Sequence, residues 1–326
     1  MMTPSPLTLS YKKVLVTGGA GFIGSHLVKA LLARGADVSV IDNLTTGHEE
    51  NLASVRKNIR FEKNDIREAE TLNTLAQGCE VIFHQAAIVS VPHTVHDPIE
   101  SSMVNEIGTL RVLEAARLNG VKRVVIASSC AVYGDLPELP KTEKMPVKPL
   151  SPYAVQKLTG EYYAKLYSEL YGLQTVSLRY FNVYGANQDP TSPYSGVISI
   201  FMKKAIEKSR PHIYDDGNQY RDFIYVKDVV RANLLASLSE RADGAIYNIG
   251  TGKMITVNEL WKLIQSFAKF DLAPEYHPPR KGDIRESRAD IALAHNELSF
   301  EPLYPFEQGL HETFEWYRDA LLVKTL

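Results

Sequence analysis

Short runs rich in β-branched residues alternate with helical stretches between Tyr11 and Ala127, and this alternation constrains the fold more than any other feature. Strands that alternate with helices form a parallel sheet whose connections are crossover helices. Two of the runs, VLVT and VKRVVIA, are almost continuously apolar, which is typical of strands that helices cover on both faces. The alternation therefore predicts an α/β fold built on a doubly wound parallel sheet.

The domain organisation is indicated by the length and by a change of rhythm after Arg179. A chain of 326 residues is long enough for two units at about 150 residues each. Beyond Arg179 the elements become shorter and more polar. We expect the sheet domain to occupy 11–180, interleaved with part of the later chain. Residues 181–326 are expected to form mainly a smaller, mixed α/β substrate domain.

Two long helices are indicated within the first region. Apolar residues at positions 99, 103, 107, 110, 113 and 116 are close to the helical period and predict a helix over 99–118. Ser151 followed by Pro152 combines an N-cap hydroxyl with a proline at the first helical position. This second helix is expected to run to about Tyr171 and to end at Gly172.

The composition excludes several classes of protein. Thirty-six Lys and Arg against 38 Asp and Glu leave a net charge of −2 without a block of like charge, so neither nucleic acid nor a membrane surface is indicated as a partner. Two cysteines, Cys79 and Cys130, cannot supply a disulfide framework and favour a reducing compartment. His26, Lys29 and four glycines interrupt the apolar stretch 14–32, which argues against a signal peptide. We expect a cytoplasmic protein.

Gly18, Gly21 and Gly24 in VLVTGGAGFIGSH stand between the first strand and the helix that follows it. Glycine lets a pyrophosphate approach the backbone amides at the helix N-terminus, as in Rossmann-type folds, although a tight turn without a ligand is the alternative. Asp42 ends the second strand, 18 residues after Gly24, where a carboxylate accepts hydrogen bonds from a ribose and disfavours a 2′-phosphate. These features favour NAD. Asp65 closes the third strand, where it would contact the adenine or cap a helix.

Tyr153 and Lys157 in SPYAVQK lie four residues apart near a predicted helix start, so they share one helix face. The spacing alone is common on ordinary surface helices. Ser128 and Ser129, however, stand at the carboxyl end of a predicted strand, where open α/β sheets hold their ligands. A phenol beside a lysine and a nicotinamide ring ionises more easily and can act as a general base for alcohol oxidation. Ser129 can hydrogen-bond the same substrate oxygen.

Seven strings follow one another along the chain: TGGAGFIGSH, DNLTTG, NDI, HQAA, SSCAVYG, SPYAVQK and RYFNVYG. In this order they resemble the extended branch of the short-chain dehydrogenase/reductase superfamily, and within it the nucleotide-sugar 4-epimerases. The resemblance runs from about Val14 to Asp290. It implies an NAD cofactor, a UDP-sugar substrate and a homodimer formed by the helices over 99–118 and 152–171. The base, uridine or thymidine, stays open.

The resemblance also implies roles for matched residues. Tyr153 would take the proton of the sugar's 4-hydroxyl with Lys157 as its partner, while carbon 4 passes a hydride to NAD. The 4-keto intermediate would turn over in the site and receive the hydride on its other face. Cofactor contacts are implied at Gly18, Gly21, Phe22, Ile23, Gly24, Asp42, Asn43, Asp65, Ile66, Gln85, Ala86, Ala87, Tyr153 and Lys157. Substrate contacts are implied at Ser90, Ser128, Ser129, Asn182, Arg221, Arg280, Asp283 and Ser287, with Ser128 the weaker of the two neighbouring serines.

The substrate positions give an expectation about the sugar. Arg221 and Arg280 can clamp a diphosphate bidentately, whereas an isolated arginine is more often a surface ion pair. Ser287 stands where hexose-only epimerases of the family typically carry a tyrosine, and a small residue leaves room for an N-acetyl group. Val89 departs from the glycine of the most N-acetyl-specific members. We therefore expect activity on both acetylated and plain UDP-hexoses.

Three other functions remain as alternatives to a 4-epimerase of acetylated and plain UDP-hexoses. A dehydratase or decarboxylase on the same scaffold is disfavoured, because Cys130 and Ala131 replace the acidic pair that family dehydratases carry. A UDP-glucuronate 4-epimerase would share the scaffold and the chemistry. A regulator that senses NAD without catalysis would more often lack Tyr153 or Lys157. His93 and His96 lie three residues apart, but no further ligand completes a metal site, so none is expected.

Overall fold

The computed structural model describes residues 7–189, 196–241, 243–279 and 285–323, and a seven-stranded sheet organises the chain. Every neighbouring pair of strands in this sheet is parallel. From one edge to the other, the strands are β11 (Asp243–Ile249), β6 (Gln174–Tyr180), β5 (Arg123–Ser129), β4 (Val81–His84), β1 (Lys13–Thr17), β2 (Asp37–Asp42) and β3 (Ile59–Lys63).

Helices cover both faces of the sheet because side chains alternate along each strand. On one face, Val14, Val16, Val38 and Val40 pack with α1 (Phe22–Leu32) and α8 (Val226–Leu238). On the other, Leu15, Ile41 and Ile82 pack with α2 (Ala69–Ala76), α5 (Thr109–Leu118) and α6 (Pro152–Tyr171). Burying each such aliphatic side chain stabilises the fold by about 1.5–3 kcal/mol. The doubly wound α/β fold predicted from the alternation is confirmed.

The predicted helix over 152–171 has the expected ends. The Ser151 hydroxyl accepts a hydrogen bond from the Ala154 amide, and Gly172 ends the helix with a left-handed φ of 70°. The predicted helix over 99–118 is not regular. It is made of α4 (Pro98–Ser102), a π-helical stretch (Met103–Gly108) and α5.

The later chain forms a second apolar core. It includes Phe201, Trp261 and Tyr317. The remaining strands pair as β10 (Phe223–Tyr225) with β7 (Asn182–Tyr184), β12 (Ile255–Thr256) with β9 (Tyr220–Arg221), and β13 (Glu275–His277) with β8 (His212–Tyr214). The remaining α-helices are α3 (Val91–His96), α7 (Val197–Ile206), α9 (Val257–Ala268), α10 (Ala292–Leu298) and α11 (Phe306–Val323), and short 3-10 stretches lie at Glu49–Asn58 and Cys130–Tyr133.

Two features concern the molecule as a whole. Although β11 and α8 follow residue 180 in the chain, they belong to the layers of the main sheet. Within the described ranges, the helices are all too short or too polar to traverse a bilayer.

Candidate active site

The glycine-rich turn between β1 and α1 is shaped by close backbone contacts. Gly18 has a φ of 67°, and a Cβ there would lie 2.6 Å from the Ala86 amide nitrogen. A Cβ on Gly24 would lie 2.1 Å from the Gly18 carbonyl oxygen, so Gly24 is required by the turn itself. Gly21 is different, because a Cβ would meet only that carbonyl, at 3.2 Å.

The N-terminus of α1 is the first place where a ligand could bind. Gly21 is the N-cap residue and supplies no side-chain hydrogen bond to the first turn, in which Phe22 and Ile23 are partly exposed. Uncapped amides and the helix dipole form an anion site. The first turn of α1 therefore fits a pyrophosphate.

Asp42, at the end of β2, is buried beside this turn. Its carboxylate accepts hydrogen bonds from the amides of Ala20 and Leu44, at 2.9 and 2.8 Å. Burial raises the pKa of Asp42, while those amides and the Gly21 amide oppose the shift. Asp42 thus fixes the glycine-rich turn, in addition to its expected role toward a ribose.

Asp65 and Asn43 lie next to each other at the carboxyl ends of β3 and β2. The Asn43 amide donates to Asp65 at 2.9 Å, and the Arg67 side chain pairs with the same carboxylate at 2.9 Å. Hydrogen bonds from Arg67 and Asn43 outweigh the effect of burial and hold the pKa of Asp65 below its usual range. Asp65 does not cap α2, whose N-cap residue is Glu68. Ile66 is buried, and its side chain lies close to Gly108.

The residues of the HQAA motif, at the end of β4 and just after it, are held by hydrogen bonds of His84 and Gln85. His84 lies between the hydroxyls of Thr17 and Thr109, at 2.8 and 2.9 Å, and burial lowers its pKa to about 3. The Gln85 amide donates to Tyr180 and Asn233, so its side chain is already engaged within the protein. The following residues, Ala86 and Ala87, are partly exposed.

Ser129, Tyr153 and Lys157 converge where β5 ends and α6 begins. The Ser129 hydroxyl lies near the Tyr153 phenol and lowers its pKa. Lys157 Nζ donates to the Ala127 carbonyl at 2.9 Å and lies 5.9 Å from the centre of the Tyr153 ring. The three side chains keep partial access to solvent, as groups that meet a ligand must.

Burial sets the proton affinities of this group in the protein alone. It raises the pKa of Tyr153 to about 12, and the nearby Ser129 hydroxyl only partly opposes this shift. It lowers the pKa of Lys157 to about 8. The sequence-based expectation of an easily ionised phenol therefore does not describe the protein without ligands. An added positive charge near the phenol would be needed to ionise it at neutral pH.

Ser128 was implied as a substrate contact, and the structure corrects this expectation. Its side chain is buried and donates a hydrogen bond to Glu161. Glu161 forms a buried ion pair with Arg179 at 2.7 Å. Neighbouring residues of a strand point to opposite faces, so Ser128 faces this ion pair whereas Ser129 faces Tyr153.

A cavity of about 270 Å³ lies beside β7, α7, β8 and β9. Asn182 and Arg221, both expected to contact the substrate, line it. The Asn182 amide donates to the Asp222 carbonyl at 3.0 Å, and Arg221 donates to the carbonyl of Arg285 at 3.1 Å. Apolar and aromatic walls with a few polar groups are typical of a small-molecule binding site.

The remaining expected substrate contacts fall into three groups. Ser90 caps α3, where its hydroxyl accepts a hydrogen bond from the His93 amide at 3.1 Å. Ser287 is partly buried, and its amide donates to the Tyr220 carbonyl at 3.3 Å. Arg280 and Asp283 lie outside the described residues.

Two residues that organise the site were missed by the sequence analysis. Asn105, in the π-helical stretch, bonds both the amide and the carbonyl of Ile88, and also donates to Gln156, next to Lys157. Asp222 is buried and accepts hydrogen bonds from the amides of Gly252 and Ala289. A long-range role of this kind leaves no local spacing signal, although Asp222 adjoins Arg221.

A model of the NAD dependent epimerase/dehydratase family matches residues 14–250. The chain belongs to this family. The UDP-glucose 4-epimerase of Mycolicibacterium smegmatis is 42% identical over 311 residues, which are 94% of this chain and 99% of that protein. The family shown here is the one that the seven sequence strings resemble.

Solved structures of relatives match over nearly the whole chain. A UDP-N-acetylglucosamine 4-epimerase from Methanobrevibacter ruminantium, in complex with UDP-N-acetylmuramic acid, is 40% identical with a TM-score of 0.92, covering 96% of this chain and 100% of that chain. The UDP-glucose 4-epimerase of Thermus thermophilus, in complex with NAD, is 40% identical with a TM-score of 0.85, covering 94% and 99%. More distant relatives, at 34 and 35% identity, include a nucleotide-sugar decarboxylase and a dehydratase.

Proposed function

We propose that this protein uses bound NAD to epimerise a UDP-hexose at carbon 4. The convergence of Ser129, Tyr153 and Lys157 at the same carboxyl edge of the sheet as the glycine-rich turn carries the proposal, because it brings a proton-transfer group and a dinucleotide site to one edge. Relatives named as 4-epimerases at about 40% identity support it.

The residues present fit NAD. The uncapped first turn of α1 would hold the pyrophosphate, with Gly21 allowing the close approach. Asp42, Asn43 and Asp65 lie at the strand ends where the adenosine would be held. The Lys157 ammonium would contact the nicotinamide ribose. NAD, when bound, accepts a hydride from the sugar and returns it.

The side chains divide the proton chemistry between them. Tyr153 takes the proton of the 4-hydroxyl and gives it back, and Ser129 holds the same oxygen in place. Because its pKa is about 8, Lys157 is mostly cationic at pH 7. The positive charge of the oxidised cofactor would lower the pKa of Tyr153 from about 12 toward the working range.

The substrate end of the proposal concerns both nucleotide and sugar. We assign the uridine diphosphate to the cavity lined by Asn182 and Arg221, with Arg280 as the second cation. Ser287 lies two residues before Ala289. Ala289 packs in the same apolar cluster as Val132, which lies in the 3-10 stretch directly after Ser129. A small residue there supports acceptance of N-acetylated as well as plain UDP-hexoses.

Two finer proposals concern the molecule's surroundings. We propose a homodimer in which α4 to α6 of one copy pack on the same helices of another, because these helices expose an apolar face. We also propose a cytoplasmic location, in keeping with the free thiols of Cys79 and Cys130.

Incubation with single substrates, without added cofactor, tests the central proposal. UDP-glucose, UDP-N-acetylglucosamine and UDP-glucuronate are each given to the purified protein, and the 4-epimers are separated by chromatography. We expect turnover of the first two, and a loss of at least about 100-fold in kcat for Tyr153→Phe with NAD retained. Near-normal turnover by Tyr153→Phe, or a dehydrated or decarboxylated product, would contradict the assigned chemistry.

A further inference from the structure

Two histidines and a glutamate that are distant in sequence meet on the strand pair β8 and β13. His212 lies opposite Glu275 in this parallel pair. Since side chains alternate along a strand, Glu275 and His277 point to the same face. His212 lies on that face too, because its Nδ1 atom is 2.5 Å from His277 Nε2.

The ligand atoms of these three side chains form a compact group. Glu275 Oε1 lies 3.4 Å from His277 Nε2, and the three atoms all lie within 4.8 Å of one another. The two imidazole rings are stacked, with centroids 4.4 Å apart. His212 and Glu275 are exposed and His277 is partly buried, so the group is open to solvent.

We propose that His212, Glu275 and His277 bind a divalent transition-metal ion, with Zn²⁺ as the best match. Two imidazoles and one carboxylate are an established zinc ligand set, and a fourth position would remain for water. Mg²⁺ and Ca²⁺ prefer oxygen ligands and fit this set poorly. The site revises the sequence-based expectation that no metal is bound, and it does not rest on the proposed epimerase activity.

The geometry needs only a local change to accept the ion. Tetrahedral zinc with bonds of about 2.0–2.1 Å holds its ligand atoms roughly 3.3 Å apart. The separation between Glu275 and His277 already matches this value. The two histidine nitrogens must move apart by about 0.8 Å, with rotation of the stacked rings into line with the metal. His212 is exposed and also lines the cavity beside β7, α7, β8 and β9. The metal would join two strands that are 63 residues apart, from 212 to 275.

Zinc binding to the tag-free, chelator-treated full chain tests the proposal. Zinc per chain is counted by mass spectrometry after dialysis, and the affinity is measured in competition with a chromophoric chelator. The variants are Glu275→Gln and His277→Asn. The matched control is His295→Asn, because His295 pairs with Glu301 at 2.9 Å on the surface and has no third ligand group among the described residues.

We expect the wild type and His295→Asn to bind one zinc ion with the same affinity. Each of the other variants should bind it at least about 10-fold more weakly, since each loses one of three protein ligands. Cobalt provides a second readout, since a tetrahedral Co²⁺ site gives visible absorption that both site variants should lose. Equal zinc affinity in all four proteins, or no bound zinc in the wild type at micromolar concentration, would overturn the proposal.

Discussion

Ser128 and Ser129 are neighbours on β5 whose hydroxyls have different partners, so single substitutions can separate stability from catalysis. Ser128→Ala removes a hydrogen bond to the buried Glu161 carboxylate, and we expect a loss of about 1–3 kcal/mol in the free energy of unfolding. Its kcat should change less than about 3-fold. Ser129→Ala should lower kcat at least about 10-fold, because the hydroxyl beside Tyr153 that is proposed to hold the substrate oxygen is lost. Denaturant unfolding and steady-state kinetics check both, and the reverse pattern would contradict the assignment.

His84 predicts a pH dependence of stability. Its pKa is lowered to about 3, whereas an unfolded histidine titrates near about 6.5. Between these values the unfolded chain binds a proton that the folded chain does not, so stability falls as the pH falls, by about 1.4 kcal/mol per pH unit. Above about pH 6.5 this contribution is constant.

The His84→Asn variant isolates that contribution. We expect a flatter decline of unfolding free energy between about pH 6 and 4 than in the wild type, together with lower stability at about pH 7.5 from the lost threonine bonds. His93→Asn, which changes an exposed residue, is the control and should keep the wild-type slope. Identical slopes in all three proteins would remove His84 as the cause.

Ser287 predicts substrate selectivity. Ser287→Tyr fills the space proposed for the N-acetyl group, so turnover of UDP-N-acetylglucosamine should fall at least about 10-fold relative to that of UDP-glucose. The readout is the ratio of kcat/KM for the two sugars. An equal loss on both would mean that residue 287 does not contact the 2-position of the sugar.

At the residue scale, the sequence reveals those functional side chains that a short spacing motif identifies. Tyr153 and Lys157 are adjacent on one helix turn, and their spacing identifies them. The different orientations of Ser128 and Ser129 depend on which face of β5 packs on α6, which only the fold determines. Asn105 and Asp222 act through partners far along the chain, so spacing does not reveal them.

At the scale of elements, the turn from β1 to α1 needs glycine for two reasons. Gly24 is needed for the fold of the turn, and Gly21 is expected to be needed for the approach of the cofactor. Gly24→Ala places a Cβ 2.1 Å from the Gly18 carbonyl, so the turn must move, and both stability and NAD retention should fall. Gly21→Ala leaves the cofactor-free fold nearly unchanged, but its Cβ stands at the N-terminus of α1. We expect at least about 10-fold weaker NAD binding with a small change in Tm. Calorimetry with and without NAD separates the two, and equal Tm losses would contradict this division.

The helix over 99–118 illustrates what periodicity misses. The apolar spacing predicts its extent, yet the stretch Met103–Gly108 is π-helical. A π turn arises where an extra residue is accommodated in a helix, often at a functional site. Here the stretch contains Asn105, which holds Ile88 and Gln156 in place. A long-range requirement of this kind overrides the regular period.

At the scale of the whole molecule, the alternation of strands and helices was enough to predict the main sheet up to β5. It could not predict that β11 and α8 would join this sheet from later in the chain, because strand order depends on long-range packing. The domain boundary between residues 180 and 181 therefore stays a prediction, and the main sheet contains strands from both sides of it. The pairing of β8 with β13, on which the proposed metal site depends, is likewise non-local.

The apolar helix face, formed by Ile99, Met103, Ile107, Tyr162, Leu166 and Leu170, carries the prediction of a homodimer. Ile99 is 78% exposed and Leu170 is 67% exposed. The residues recur every four positions along two neighbouring stretches, so they form one continuous surface. An apolar patch of this kind on a monomer marks an interaction site, and the same face on a second copy can cover it with two-fold symmetry.

Leu166→Glu tests this face, since it places a charge at the centre of the proposed interface. Light scattering after gel filtration should give about twice the 36.4 kDa chain mass for the wild type and one chain mass for the variant. Met254→Glu, at a residue exposed elsewhere on the surface, should remain dimeric. A monomeric wild type, or a dimer that survives Leu166→Glu, would exclude this face as the interface. Because Tyr153 lies on the same helix as Leu166, the variant's kcat would also measure how far dimerisation supports the position of α6.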